Sequence, residues 1–216
     1  MAGIDVRLRR IFGEDGKAVI CPLDFGGFMG PVKGLYDPSA AVRKVVEGGC
    51  DAILVNPGLA ATEWESFAGK TGLVVRVTGG STKFSPNPAF HTLVCSVEEA
   101  CRLGADAICI MLLVGSDYEQ EMFEIMGQVV SEAHVLGIPV LAEVIPCDPA
   151  HSFDPEWISV CARVGSGSYG VEFARANSSA RTCGEPCSHW VRRSGLPQPT
   201  ENSSYIVGKG SMLAGS

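Results

Sequence analysis

Two charged residues interrupt runs that are otherwise apolar. Glu143 stands inside Val140-Leu141-Ala142-Glu143-Val144-Ile145, and Arg76 inside Leu73-Val74-Val75-Arg76-Val77. Burying a carboxylate or a guanidinium among aliphatic side chains is expensive unless the group is paired or used. Glu143 therefore reads either as an acid/base or substrate-binding group or as half of a structural ion pair, with Arg76 as a candidate partner. Arg76 itself suits contact with an anionic substrate. Three further polar features follow apolar runs: Asp24 after Val19–Leu23, Asn56 after Ala52–Val55, and Gly79-Gly80-Ser81 after the run that holds Arg76. The two glycines and Ser81 form either a backbone anion nest or a simple tight turn. Lys33, in the glycine-bounded loop Gly30–Gly34, either reaches a phosphate or is a solvated lysine. As a set, these residues would bind a small anionic substrate and move a proton on it.

The elements that must carry them alternate. Short strands are predicted at Ala18–Leu23, Ala52–Val55, Gly72–Val77, Ala107–Leu112 and Pro139–Ile145. Helices are predicted over Pro38–Gly48, from a Ser96 cap with Glu99 through Leu103 to a stop at Gly104, over Tyr118–Leu136, and from Asp154-Pro155 to Val164. Strands that are apolar throughout and separated by helices are those of a parallel sheet buried on both faces. Alternation places Glu143 on the same strand face as Ile145. The chemistry-bearing residues then fall at or near strand C-terminal ends, which is where a TIM-type barrel keeps its active site. An open, doubly wound sheet is the competing topology.

Composition narrows the classes. The chain has 216 residues, 46% of them hydrophobic and 19% charged, with a formal net charge of -7. This is a globular balance. It lacks the basic, aromatic-interleaved stretch that nucleic acid or an anionic membrane would need. No apolar run approaches the ~20 residues of a membrane span, and the first residues carry no apolar leader, so a cytoplasmic location is expected. The nine cysteines, several single among apolar residues, are then reduced thiols and not a disulfide framework.

Several segments together resemble the archaeal-type class I aldolases, a family that includes fructose-bisphosphate aldolases, amino-dideoxyheptulosonate synthases and autoinducer-2 thiolases. They are Val6–Phe12; Val19–Gly26 with Gly30–Leu35; Thr78–Ser81 followed by Ser85–Pro88; Val97–Ala100 through Gly104–Ala107; and Val114–Asp117. The resemblance covers about residues 1–164. It implies a (β/α)8 barrel that forms an imine between a lysine and a ketone, with no cofactor and no metal ion. It also implies a small, phosphorylated sugar or ketone as substrate and a homo-oligomeric assembly.

By that resemblance Asp24 orients the substrate, although an Asp that merely caps the following turn is the plain alternative. The His that commonly follows it is here Phe25. Asn56 stands where the family often carries a His-Lys pair. The proton-donating Tyr at the end of strand five aligns with Ile145, which transfers no proton. Related tagatose-bisphosphate-type aldolases use a strand-five Glu for acid/base work, which suggests that role for Glu143. The imine-forming Lys belongs at the end of strand six. The chain there reads Gly170-Val171-Glu172-Phe173-Ala174-Arg175, with no Lys between Lys83 and Lys209. An Arg stays protonated and forms no imine.

Regular patterning ends after Val164. Ile, Leu, Val and Met fall to 7 of the last 52 residues, so this stretch lacks the material for further buried strands. At ~250 residues for a typical closed barrel, the chain is also short. The expected architecture is an incomplete TIM-type barrel of roughly five βα units over residues 1–164, then an irregular tail over 165–216. That tail is either a genuine alternative ending or a frameshifted reading. With GCA at Ala174 and AGR at Arg175, a shifted frame would restore a Lys at the end of strand six. A Cys183-x3-Cys187-x-His189 grouping has three ligands without the paired spacing of a zinc site, and no metal is expected there.

Overall fold

The apolar runs fold as parallel strands, and most of them lie within one or two residues of the predicted bounds. The computed structural model describes residues 2–14, 16–87, 89–165, 172–175, 189–192 and 206–208. In chain order the elements are α1 (Ala2–Ile11), β1 (Lys17–Pro22), α2 (Gly26–Met29), α3 (Pro38–Glu47), β2 (Ala52–Val55), α4 (Pro57–Thr62), α5 (Trp64–Phe67) and β3 (Gly72–Arg76). They continue with β4 (Thr78–Gly79), β5 (Thr92–Leu93), α6 (Val97–Arg102), β6 (Ala107–Val114), α7 (Glu119–Leu136), β7 (Val140–Pro146) and α8 (Pro155–Arg163). Three short strands follow: β8 (Phe173–Arg175), β9 (His189–Arg192) and β10 (Ile206–Gly208).

The sheet decides between the two topologies. β1, β2, β3, β6, β7 and β8 lie side by side in chain order, each parallel to the next. A doubly wound sheet reverses its order at a switch point; this one does not, so the sheet curls in one direction as a barrel wall. β9 and β10 pair antiparallel with β1 and β8. The tail beyond Val164, read from sequence as irregular, therefore contributes these short strands; Cys183 and Cys187 lie outside the described residues.

Strand alternation splits the core in two. Ile53, Val55, Leu73, Val75, Ile108, Ile110, Val140 and Ala142 face outward onto α6, α7, α8 and the other helices. Ala18, Ile20, Ala52, Leu54, Val74, Ala107, Cys109 and Leu141 face inward, where Ile4, Leu8 and Ile11 of α1 join them. α1 is a plug at the N-terminal end of the strands. Arg7 donates to the carbonyls of Gly137 (3.2 Å) and Ala105 (3.0 Å), and Arg10 pairs with Asp106 at 2.9 Å. The fit is close at Gly72, where a Cβ would meet Ile11 Cγ1 at 3.1 Å and the Arg10 carbonyl at 3.2 Å. With this end closed, the C-terminal end is left for chemistry.

An acidic residue placed just before a strand recurs as a spacer between neighbours. Asp51, before β2, accepts from Val19 N of β1 (2.6 Å). Asp106, before β6, accepts from Leu73 N of β3 (3.1 Å). Glu172, before β8, accepts from Val140 N of β7 (3.0 Å) and lies 3.2 Å from His134 Nε2. Each uses a carboxylate to satisfy an N–H within the first three residues of the neighbouring strand, which helps to fix the register of the pair. The helices begin as predicted: Ser96 Oγ accepts from Glu99 N, Asp37 from Ala40 N and Asp154 from Glu156 N. α7 ends at Gly137 in the left-handed conformation (φ 66°).

The seven cysteines among the described residues are free thiols. No helix among the described residues is long and apolar enough to cross a membrane.

Candidate active site

Inward alternation carries the apolar layer of Val74 and Leu141 one step further, to Arg76 and Glu143. Both are buried. β6 lies between their strands and sets the spacing, with Arg76 in register with Cys109 and Glu143 with Met111. Arg76 Nε donates to Asp24 Oδ2 at 2.8 Å, and its Nη2 lies 2.7 Å from the same oxygen. Nη2 also bonds Glu143 Oε2. One guanidinium thus gathers a carboxylate from the loop after β1 and another from β7. Burial works against its charge, but Cys109, Glu143 and Asp24 outweigh that, and the Arg76 pKa is raised well above its ordinary value.

Asn56 is the fourth member. It follows β2 and donates from Nδ2 to the Asp24 carbonyl at 2.9 Å, which ties down the chain that presents the Asp24 carboxylate. α2 packs directly over it, since a Cβ on Gly27 would lie 3.1 Å from Asn56 Nδ2. Asp24, Asn56, Arg76 and Glu143 therefore form one connected group at the C-terminal ends of the strands.

The other residues singled out from sequence stand apart from this group. Lys33 is exposed on the loop between α2 and α3. Gly79 lies not in a turn but in a strand with Thr78, and the two pair with Thr92 and Leu93 in a small antiparallel ribbon. Gly80 takes a positive φ of 131°. The Ser81 hydroxyl donates to the carbonyls of Phe90 (3.0 Å) and Asn87 (3.2 Å), closing the ribbon's loop on itself. Phe25 is exposed.

The ribbon delivers a residue that sequence reasoning missed. His91 directly precedes β5, and its Nδ1 is buried without a hydrogen-bond partner among the described residues. Burial, and then the charge of Arg76, lower its pKa from 6.5 to about 4, with Glu143 opposing. The imidazole is neutral near pH 7. A base whose folded pKa lies below its unfolded value takes up its proton first in the unfolded chain. Stability is therefore lost as pH falls from about 6.5 toward 4, and His91 alone should cost about 2 kcal/mol between pH 7 and pH 5. Urea unfolding at both pH values should show that increment in the native chain and not in His91→Asn. Equal pH slopes in the two proteins would refute it.

The parallel barrel wall has counterparts among known proteins. The model of the DeoC/LacD family aldolases matches residues 18–183. The chain belongs to the DeoC/LacD aldolase family. Among curated relatives, the 2-amino-3,7-dideoxy-D-threo-hept-6-ulosonate synthase of Halobacterium salinarum is 36% identical over 141 residues, covering 65% of this chain and 52% of that protein. The class 1 fructose-bisphosphate aldolase of Thermoproteus tenax is 28% identical over 171 residues, covering 76% and 64%. An archaeal fructose 1,6-bisphosphate aldolase structure superposes with a TM-score of 0.68 at 26% identity, over 78% of this chain and 68% of that one. A Schiff-base-forming fructose-1,6-bisphosphate aldolase gives 0.67 at 26%, over 75% and 66%. The expected family and the incomplete TIM-type barrel both hold. The chain spans about half to two-thirds of the length of these curated relatives. Among the described residues no group of His, Cys, Asp and Glu is placed to hold a metal ion.

Proposed function

We propose that this aldolase-family barrel acts on a small phosphorylated ketose or ketone, with Asp24 orienting the substrate and Glu143 serving as the acid/base group. The observation that carries the reading is the buried Asp24–Arg76–Glu143 group at the strand C-terminal ends. Arg76 supplies a fixed positive charge there, and Asn56 holds the Asp24 loop. The family's Schiff-base chemistry supports carbon–carbon bond cleavage or formation as the reaction class. Lys33 and the Gly79-Gly80-Ser81 segment belong to the proposal as outer contacts to the substrate's phosphate. The corresponding setting is carbohydrate metabolism in the cytoplasm, as a homo-oligomer.

The 216-residue chain itself should form no imine, because no Lys lies between Lys83 and Lys209. A binding barrel that uses the same mouth without catalysis is the second reading, and Arg175, in register with Glu143, favours it. The family match to residue 183 and the Glu172 contact support an in-frame reading at least to Arg175. A frameshift within 165–216 would then begin beyond that point, and the codons of the gene decide between it and a native ending.

The test is a titration of the purified chain with dihydroxyacetone phosphate and fructose 1,6-bisphosphate, followed by borohydride reduction and intact-mass measurement. Saturable binding without a mass increase is expected. A ketose adduct on any lysine would overturn the no-imine statement, and absence of binding by either compound would overturn the substrate reading.

A further inference from the structure

Two polar nitrogens at the barrel mouth have no partner among the described residues: Arg76 Nη1 and His91 Nδ1. Both are buried, and buried polar atoms are nearly always satisfied, so two in one neighbourhood call for an account. The rest of Arg76 is fully engaged, its Nε and Nη2 being held by Asp24 and Glu143. That grip fixes the guanidinium plane and therefore the direction of Nη1. His91 is held from both sides: the Phe90 carbonyl accepts from Ser81 Oγ and the Ala89 carbonyl from Ser116 Oγ (2.7 Å), while Thr92 pairs with Gly79. Thr92 and Leu93, which follow His91, pair with Gly79 and Thr78, which follow Arg76, so the ribbon brings His91 to the end of β3 that carries Arg76; the charges of Arg76 and Glu143 both act on the imidazole.

We propose that Arg76 Nη1 and His91 Nδ1 together form a recognition site for a substrate hydroxyl, adjacent to the carbonyl that Asp24 and Glu143 serve. The pair is matched to a hydroxyl by chemistry. Arg76 Nη1 is only a donor, so its ligand must accept. The neutral imidazole carries its proton on one nitrogen, and with that proton on Nε2 the Nδ1 lone pair needs a donor. A hydroxyl oxygen accepts from Nη1 while its proton goes to Nδ1. A ketone oxygen would satisfy the guanidinium alone. A carboxylate or phosphate would lie against Asp24 and Glu143, both already on this guanidinium, and like charges oppose that. The preferred ligand is therefore a hydroxyketone, and a deoxy ketone is disfavoured because it leaves both nitrogens unpaired.

This rests on the ketose or ketone reading above and sharpens it, making His91 a specificity residue and not a proton-transfer group. The experiment compares dihydroxyacetone phosphate with acetol phosphate, which differ by one hydroxyl, by calorimetric titration of the full chain. The native chain should bind the hydroxylated compound about tenfold or more tightly than the deoxy one. In His91→Ala that ratio should collapse toward one, chiefly through weaker binding of dihydroxyacetone phosphate. His91→Asn, which keeps an amide able to accept or donate, should recover part of it and guards against a folding defect in the alanine variant. Equal affinities in the native chain, or a ratio that survives both substitutions, would overturn the hydroxyl site while leaving the ketone reading intact. Binding of neither compound would overturn both.

Discussion

Arg76→Ala should destabilise the chain by about 3–5 kcal/mol, because it leaves two buried carboxylates without the cation between them. The side chains of Asp24, Arg76 and Glu143 are only 12%, 7% and 5% exposed, so solvent cannot take over the role of the guanidinium. Both carboxylates converge on its Nη2, and removing it turns two attractions into one repulsion in a low-dielectric setting. Set against a typical total stability of about 5–15 kcal/mol, the loss would bring the variant close to unfolding. Arg76→Lys should fall between the two, since an ammonium keeps the charge but cannot present a planar fork to Asp24 and Glu143 together. Adding Glu143→Gln to Arg76→Ala should return part of the stability by removing one of the two facing negative charges. Urea unfolding at pH 7 measures all of these. A loss below about 1 kcal/mol for Arg76→Ala would mean that the group is effectively solvated and that the ion pair contributes little.

That group was legible in sequence for a simple reason. A charge inside a run of aliphatic residues stands out, and alternation tells which face it takes. Arg76 and Glu143 share the inward face with Val74 and Leu141, and the Glu–Arg pairing weighed from sequence is present in the fold. Asp24 and Asn56 were legible as polar residues that end apolar strands. His91 was not. It lies beside a two-residue strand, too short to show any period, whose pairing with Thr78–Gly79 depends on contacts across a loop. The same non-locality makes Gly79, at the head of Gly79-Gly80-Ser81, look like part of a turn or anion nest. The plug α1 was seen only as a segment resembling the family, because the destination of its apolar face is the barrel bottom and no local pattern reveals a destination. Pairing of β8 to β7 was obscured because only Phe173 and Ala174 precede Arg175, a run too brief for a strand signal. The acidic residue before it, Glu172, is the better marker, since Asp51 and Asp106 do the same work at earlier junctions.

Arg175→Lys should convert the chain from one that forms no ketose adduct into one that does. Position 175 ends β8 and is in register with Glu143, on the strand next to the one that carries the proposed acid/base group. Arginine cannot act as the nucleophile because its guanidinium stays protonated at any relevant pH. A lysine amine loses its proton far more readily when it is desolvated or lies near another cation, and Arg76 supplies such a charge in this mouth. Attack on a ketone carbonyl followed by loss of water gives an iminium, and borohydride then reduces it to a stable secondary amine on the introduced lysine. In the acid/base role proposed for it, Glu143 takes up and returns the protons that these steps release. The measurement is intact mass and peptide mapping after borohydride treatment with dihydroxyacetone phosphate. The unsubstituted chain and Arg175→Ala should stay at background, while Arg175→Lys should carry one adduct, mapped to position 175. Adding Glu143→Gln should slow its formation without removing the lysine. If Arg175→Lys binds the ketose yet stays at background, position 175 is not the imine position of this barrel, and the end of strand six must be sought elsewhere in residues 165–216.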